Sequence, residues 1–506
     1  MNIGYLTVIL RMASGALPAA NMKVQIKGAS GNVLYDLTTG ADGSTEQVAL
    51  ETAEETFGLG RHPIGFYDVE IPPSGGLSAL SIKGVEVYEG VASVLPVTVT
   101  SFTGEDMSKN IFLPKEHGAD WRSAVETQAI PGPDDYPAGT HATAPLTIVV
   151  HMGYYRDPAE NVQVPFLDYL KNIASNEAYA DWDRGSLYAT VYCLSTFALN
   201  RVFTEWYRNQ GYPFDITSDP RSDPIYQEGR PIPSNIFQIA ELLLNVFISR
   251  KDSIAPIFPI YGGGPLPCAG FSMQEALQMS SKGYSPLDIL KHFFGKGLNL
   301  QEADLPSSML ENPGHSGEGI KRIQSCLNDL RISYPSIPEI KPENGKFSDD
   351  TKEAIAEFQR IFRLTVSGVL TPATQSQLGV VGESLRSLKR LLKERSSLKL
   401  EEPPDDKLSY GMDPAAQSGS VLILHHILNF LSLFNPAIPG VSEDIFGYET
   451  EESVAAFQRA FKISEAGAVG EATWPKLFEE YSSLQDSILD LGEEPDIPAF
   501  PDLQAK

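Results

Sequence analysis

The stretch that decides the architecture is FSDDTKEAIAEFQRIFRLTVSGVLTPATQSQL, Phe347 to Leu378, because the chain repeats it further on as FGYETEESVAAFQRAFKISEAGAVGEATWPKL, Phe446 to Leu477. Without any gap, Phe347, Thr351, Phe358, Gln359, Phe362, Gly368, Thr374 and Leu378 match Phe446, Thr450, Phe457, Gln458, Phe461, Gly467, Thr473 and Leu477. Upstream, after a small shift, Leu327, Leu330, Pro335 and Pro338 match Leu428, Leu431, Pro436 and Pro439. Each unit is long enough to be a compact helical module in tandem, not a short solenoid repeat.

Inside each unit the apolar spacing is helical: Ala354, Ile355, Phe358 and Phe362 share one helix face. Phe358 and Phe362 therefore read as core, not as ligand contacts. Thr351 and Thr450 lie at or near the helix start, where a hydroxyl satisfies a free N–H. Gly368 and Gly467 follow the helices and suit a tight turn. An apolar first helix, a Pro-rich loop, a turn before Phe, then Thr, Ala-x-x-Phe-Gln and a late Gly together resemble the three-helix peptidoglycan-binding domain, over residues 315–381 and 418–481. The resemblance implies peptidoglycan as partner. It also makes Trp474 a candidate ligand contact in the second copy, where the first has Gln375. Between the modules, residues 382–417 read as a linker with a helix, and residues 482–506 as an acidic tail.

With 506 residues, a guide of about 150 residues per domain gives three or four domains. The net charge of −26 argues against nucleic acid, whose phosphates need Lys and Arg. Peptidoglycan is also polyanionic, so recognition has to come from short-range hydrogen bonds and stacking on sugar faces. Three cysteines, Cys193, Cys268 and Cys326, are too few for a disulfide scaffold, and no Cys/His spacing suggests zinc. No metal or cofactor is expected. No stretch approaches the roughly 20 apolar residues of a membrane span. The opening run has no basic n-region and Arg11 interrupts it, so Tyr5–Met12 reads as a strand, not a signal peptide.

Residues 1–113 are strand-like: YLTVILRM, MKVQIKG, VLYDLTT, STEQVAL, FYDVEIP, IKGVEVYEG and SVLPVTVT, separated by turn residues. This pattern predicts a β-sandwich, and its layout resembles the transthyretin or carboxypeptidase-regulatory type. Residues 114–145, rich in Pro, Gly and Asp, read as an exposed, protease-accessible linker. The fold class expected is thus multidomain α+β: a sandwich, a mainly helical central domain, and two three-helix modules.

Residues 146–300 open on the apolar strand LTIVVHMG. Leu187, Val191, Leu194, Ala198, Val202 and Trp206 predict a helix over Arg184–Gln210, and a second is predicted over Ile236–Ser249. The stretch VPFLDYLKNIASNEAYADW…LNRVFTEWYRNQGYPFDITS, followed by GYSPLDILKHFFG, is similar to the SleC-type spore cortex-lytic enzymes. It is more distantly similar to stage II sporulation protein D, a peptidoglycan lytic transglycosylase. The resemblance implies a proenzyme located in the spore cortex or coat, activated by a germination protease, with Glu177 as catalytic acid.

One carboxyl group suffices for that chemistry. It protonates the glycosidic oxygen and then accepts the proton of the sugar's own C6 hydroxyl, closing a 1,6-anhydro ring, so the second carboxylate of a hydrolase is not required. Shielding by Ile173, Tyr179 and Trp182 is expected to raise the pKa of Glu177. The residues alone leave a second reading open, since a Glu before a helix is commonly a solvated anion. Asp181 and Asp183 read as helix caps, and His151 as a satisfied structural histidine. Asp223, Tyr226 and Arg230 are expected to line a groove, with Arg230 open between a muramyl carboxylate and an ordinary ion pair. The family's Met-Ser-Gln-aromatic-Gly element falls on Phe271–Glu275. Ser272 keeps its place there, and a shift of one residue aligns Gln274 instead; both are substrate-binding candidates. A non-catalytic wall-binding protein is the alternative to the enzyme.

Overall fold

The chain is described by a computed structural model covering residues 2–52, 63–74, 79–99, 109–114, 141–251, 253–259, 270–306, 317–395, 397–398, 400, 402–412, 418–464 and 466–490. Most of the expected linker, and the tail from residue 491, lie outside the described residues.

Each of the seven stretches read as strands forms one, distributed over two five-stranded sheets. In the first sheet, β1 (Ile3–Met12) pairs antiparallel with β2 (Leu17–Pro18) and β5 (Val48–Glu51), and parallel with β8 (Ala92–Thr98). The second has the order β4 (Val33–Thr38), β3 (Lys23–Lys27), β6 (Ile64–Ile71), β7 (Leu80–Tyr88), β9 (Lys109–Phe112). Along β6 and β7, Val69, Ile71, Ile82, Val85 and Val87 are buried, the pattern of strands with one face on a core. The fifth member of the first sheet comes from the central segment: β13 (Ile232–Pro233) pairs antiparallel with Val94 and Ser93.

In the central segment, β10 (Thr147–His151) lies between β11 (Asn161–Pro165) and β12 (Ile216–Thr217). β11 runs straight into α1 (Phe166–Glu177), whose Phe166, Tyr169, Leu170 and Ile173 are buried. Helix α2 (Arg184–Phe203) is shorter than its apolar spacing predicts. The Thr204 hydroxyl donates back to the Asn200 carbonyl and Glu205 takes a positive φ of 46°, so the chain resumes only as a 3-10 turn at Arg208–Gln210.

The second predicted helix is corrected more substantially. α3 (Ser234–Leu243) ends early, and Val246–Arg250 is a strand, β14, paired antiparallel with β15 (Leu298–Glu302). The Ser195 hydroxyl donates to the carbonyls of Leu243 and Val246, holding the break. A short apolar run rich in Val, Phe and Ile fits helix or strand equally well, and the partner strand decides. Helices α4 (Met273–Ser281) and α5 (Pro286–Phe294) follow, capped by Ser272 and Ser285.

The C-terminal half is helical. α6 (Gly317–Leu330), α7 (Asp349–Ile361) and α8 (Pro372–Arg395) form the first module; α9 (Ser418–Phe434), α10 (Tyr448–Ala460) and α11 (Thr473–Asp490) form the second. α8 runs on into the expected linker because Leu385, Leu388 and Leu391 are buried where α8 packs on α9. α11 likewise continues past Tyr481, with Leu484 buried.

The amino-terminal sheets are joined to the rest through a buried seam. Arg230 and Glu86 are each 1% exposed and paired at 3.1 Å. Arg230 also donates from Nε to the Ser175 carbonyl in α1. Lys109 pairs with Glu228 at 2.6 Å. On the first module, Tyr334 donates to the Gly15 carbonyl, and the Arg11 guanidinium sits 4.2 Å from the Phe362 ring centre while donating to the Ile361 carbonyl. Glu241 of α3 accepts from both the amide and the hydroxyl of Thr365.

A single proteolytic cut between Pro114 and His141 is expected to leave both fragments co-eluting from a sizing column in native buffer, separating only in denaturant. Arg230→Ala strands Glu86 in the interior, a loss of about 3–5 kcal/mol, and is expected to release the nicked amino-terminal fragment.

Candidate functional site

The repeated Phe-Gln pair has a clear structural role. The Gln359 side-chain oxygen accepts from the amides of Ser367 and Gly368, and its Nε2 donates to the Val369 carbonyl and the Thr374 hydroxyl. Gln458 repeats the arrangement, accepting from Ala466 and Gly467 and donating to the Ala468 carbonyl and the Thr473 hydroxyl. Both amides are buried and clamp the Gly turn to the start of the third helix. Gly368 has φ +68°, and an added Cβ would lie 2.6 Å from Lys352 Cγ. Only glycine suits that combination.

Thr351 and Thr450 are not caps. Ser348 caps α7, accepting from the Thr351 amide. The Thr351 hydroxyl accepts from Gln324 Nε2 at 2.9 Å, and Thr450 meets His425 Nε2 at 2.8 Å. In both copies the threonine ties the first helix to the second.

Trp474, expected at the ligand, is 2% exposed. Its Nε1 donates to the Asp406 carbonyl and its ring meets Phe478 edge-on. It anchors the segment between the modules instead of presenting a face to sugar. Gln375 in the first copy spends its side chain on the Leu370 carbonyl.

A cavity of 820 Å³ opens where the amino-terminal sheets, the central domain and both modules converge. Tyr226 and Arg230 border it; Glu177, Asp223, Ser272, Gln274 and Trp474 do not. Asp223 is fully enclosed: it accepts from Arg201 Nε at 2.8 Å, from the Tyr207 hydroxyl at 2.6 Å, and from the Thr217 amide and hydroxyl. Its carboxylate is spent on this network and has no surface left for a substrate. Arg230 meets Glu86, the ion-pair reading, but in the interior and not at the surface. Ser272 caps α4, and Gln274 is exposed in that helix's first turn. Asp183 takes the N-cap position of α2 without a side-chain capping bond. His151 is held by Asn161 at 2.8 Å and stacked on Phe214.

Glu177 is the last residue of α1 and 1% exposed. Its carboxylate accepts from the Ile225 amide at 3.3 Å, and Tyr169 feels its charge. Two turns of α1 carry Asp168, Lys171 and Asn172 to the cavity wall, while Glu177 lies past them at 1.5 Å of rise per residue. The buried ends of the segment from Asp223 to Arg230 were hidden from sequence reasoning. The signal for them was three charged residues in an otherwise irregular stretch, which fits ion pairs as well as a groove.

Residues 316–378 and 417–477 match the family described as "Putative peptidoglycan binding domain". No curated protein and no solved structure matches the chain. The chain therefore carries two peptidoglycan-binding modules, and their description suggests cell-wall association. Among the described residues no helix is long and apolar enough to cross a membrane.

Two outcomes follow for the modules. Gln458→Leu leaves the buried Gly467 amide and the part-buried Ala466 amide without their acceptor and is expected to cost about 1–3 kcal/mol, read as a lowered denaturation midpoint. Burial pushes His426 down to about 4, with Arg390 and Arg395 acting the same way against Glu394; it bonds the Tyr481 hydroxyl. Folded, it stays neutral, whereas the unfolded histidine protonates near 6.5. The unfolded state thus binds more protons between those values, and stability is lost as pH falls from 6.5 toward 4. The thermal midpoint is expected to drop from pH 7.5 to pH 5, less steeply in His426→Gln.

Proposed function

We propose that this chain holds peptidoglycan through its two C-terminal modules, and that its central domain cleaves the glycan as a lytic transglycosylase with Glu177 as acid and then base. The matched pair of modules supports the binding half. The observation that carries the catalytic half is the seat of Glu177, a carboxyl group enclosed at a helix end instead of standing in water. An acid that must hold its proton near neutral pH needs such a setting.

In the conformation described, Ile225 covers the carboxylate, so glycan reaches it once the segment Ile225–Arg230 gives way. That segment ends at Arg230, whose partner Glu86 belongs to the amino-terminal sheets. Activation by a germination protease fits this arrangement: departure of the amino-terminal domain removes Glu86 and loosens the cover. A cut alone, without dissociation, leaves the cover in place. The substrate implied by the resemblance is spore cortex peptidoglycan.

The alternative, binding without turnover, is favoured by one observation: Glu177 does not border the cavity. Product analysis separates the two. Cortex peptidoglycan is incubated with the intact chain, with the nicked chain, and with nicked chain freed of its amino-terminal fragment, and the fragments are weighed by mass spectrometry. Anhydro-muramic ends from the freed form, falling at least 100-fold in Glu177→Gln, are expected. Reducing ends mean a hydrolase; no release by any form, with the wall still sedimenting the protein, leaves an anchor.

A further inference from the structure

Arg363 follows α7 and Lys462 follows α10 at matched positions of the two modules, and both have positive φ, 59° and 54°. Each closes its helix in the same way. The Leu364 and Ile463 amides reach back to the Gln359 and Gln458 carbonyls, and the Arg363 and Lys462 amides reach the Arg360 and Arg459 carbonyls. This is the Schellman ending, whose left-handed position glycine ordinarily fills. Here both copies accept a disfavoured backbone to carry a long cationic side chain, the kind of outlier from which a functional role is reasonably inferred.

Both residues border the central cavity, and neither forms an ion pair among the described residues. Across from them the central domain contributes Lys171, buried over the Phe237 ring at 3.9 Å. Around the cavity stand seven Lys or Arg and four Asp or Glu, in a chain whose net charge is −26. Glu86 and Glu394, just outside the lining, neutralise Arg230 and Arg390, so the remaining positive excess is small and Arg363 and Lys462, both exposed, contribute to it without an ion pair among the described residues. A cation held at a concave surface attracts an anionic ligand, and a few hundred to a thousand Å³ suits a ligand of drug or oligosaccharide size.

We infer that this cavity binds the carboxylate-bearing stem peptide of a peptidoglycan fragment, with Arg363 and Lys462 as its paired cationic contacts, one from each module. The inference rests on peptidoglycan being the partner. It supplies a local attraction that the chain's overall charge denies, because the anionic peptide meets two cations that no described carboxylate pairs with. Both guanidinium and ammonium groups suit carboxylates.

The test uses the full-length chain and two soluble probes: a muramyl disaccharide carrying a tripeptide, and the same disaccharide without peptide. Titration calorimetry is expected to show one-to-one binding of the first, weakening with salt, and at least tenfold weaker binding of the second. In the double variant Arg363→Gly/Lys462→Gly, glycine relieves the left-handed positions, so the thermal midpoint stays or rises while affinity for the tripeptide probe falls at least tenfold. Arg363→Lys/Lys462→Arg is expected to keep most of the binding. Equal affinity for both probes, or an unchanged affinity in the glycine variant, overturns the inference, as does tighter binding of poly(glycerol phosphate) than of the peptide. Sedimentation with insoluble peptidoglycan is read in parallel. If the native chain fails to sediment, the wall-binding reading fails; if it sediments while the calorimetric differences are missing, only the cavity assignment does.

Discussion

A guanidinium with almost no exposure has to meet a counter-charge, and Arg230 meets Glu86 across the seam between the amino-terminal sheets and the central domain. Removing one member of such a pair leaves a charge stranded at low dielectric, which costs several kcal/mol. The sheets and the central domain are therefore not separable beads. The second buried pair, Arg201 with Asp223, lies at the other end of the same segment. Asp223 is gripped by an arginine, a tyrosine and a threonine, Arg230 by a glutamate and the Ser175 carbonyl. Between these two staples Ile225 lies against Glu177. The segment that meets the one carboxyl group with a proposed chemical role is thus held at both ends by ion pairs, one of them reaching into another domain.

What could be seen in the sequence followed from local rules. The tandem repeat, the seven strands and the Gly turns all depend on spacing or backbone preference within a few residues. Legibility failed where a partner distant in the chain decides. Val246–Arg250 is a strand only because Leu298–Glu302 runs beside it. Trp474 looks like a sugar platform until Asp406 is found capping its indole N–H. Thr351 looks like a cap because threonine at a helix start usually is one, yet Ser348 does the capping and Gln324 claims the hydroxyl. At the candidate site the acidic residue was legible only through resemblance. Its cover, its depth and the cationic side chains of the nearby cavity came from residues scattered over the whole chain.

The modules also differ from freely tethered anchors. A flexible linker raises effective concentration by letting two binding units search together. Here α8 extends beyond its own module on buried leucines to meet α9, the Gln163 amide donates to the Pro436 carbonyl, and Tyr334 holds the amino-terminal turn at Gly15. Both modules are fixed against the same central body, so their separation is set by one geometry and not by linker length. The freedom lost by joining these units is what makes the shared cavity possible.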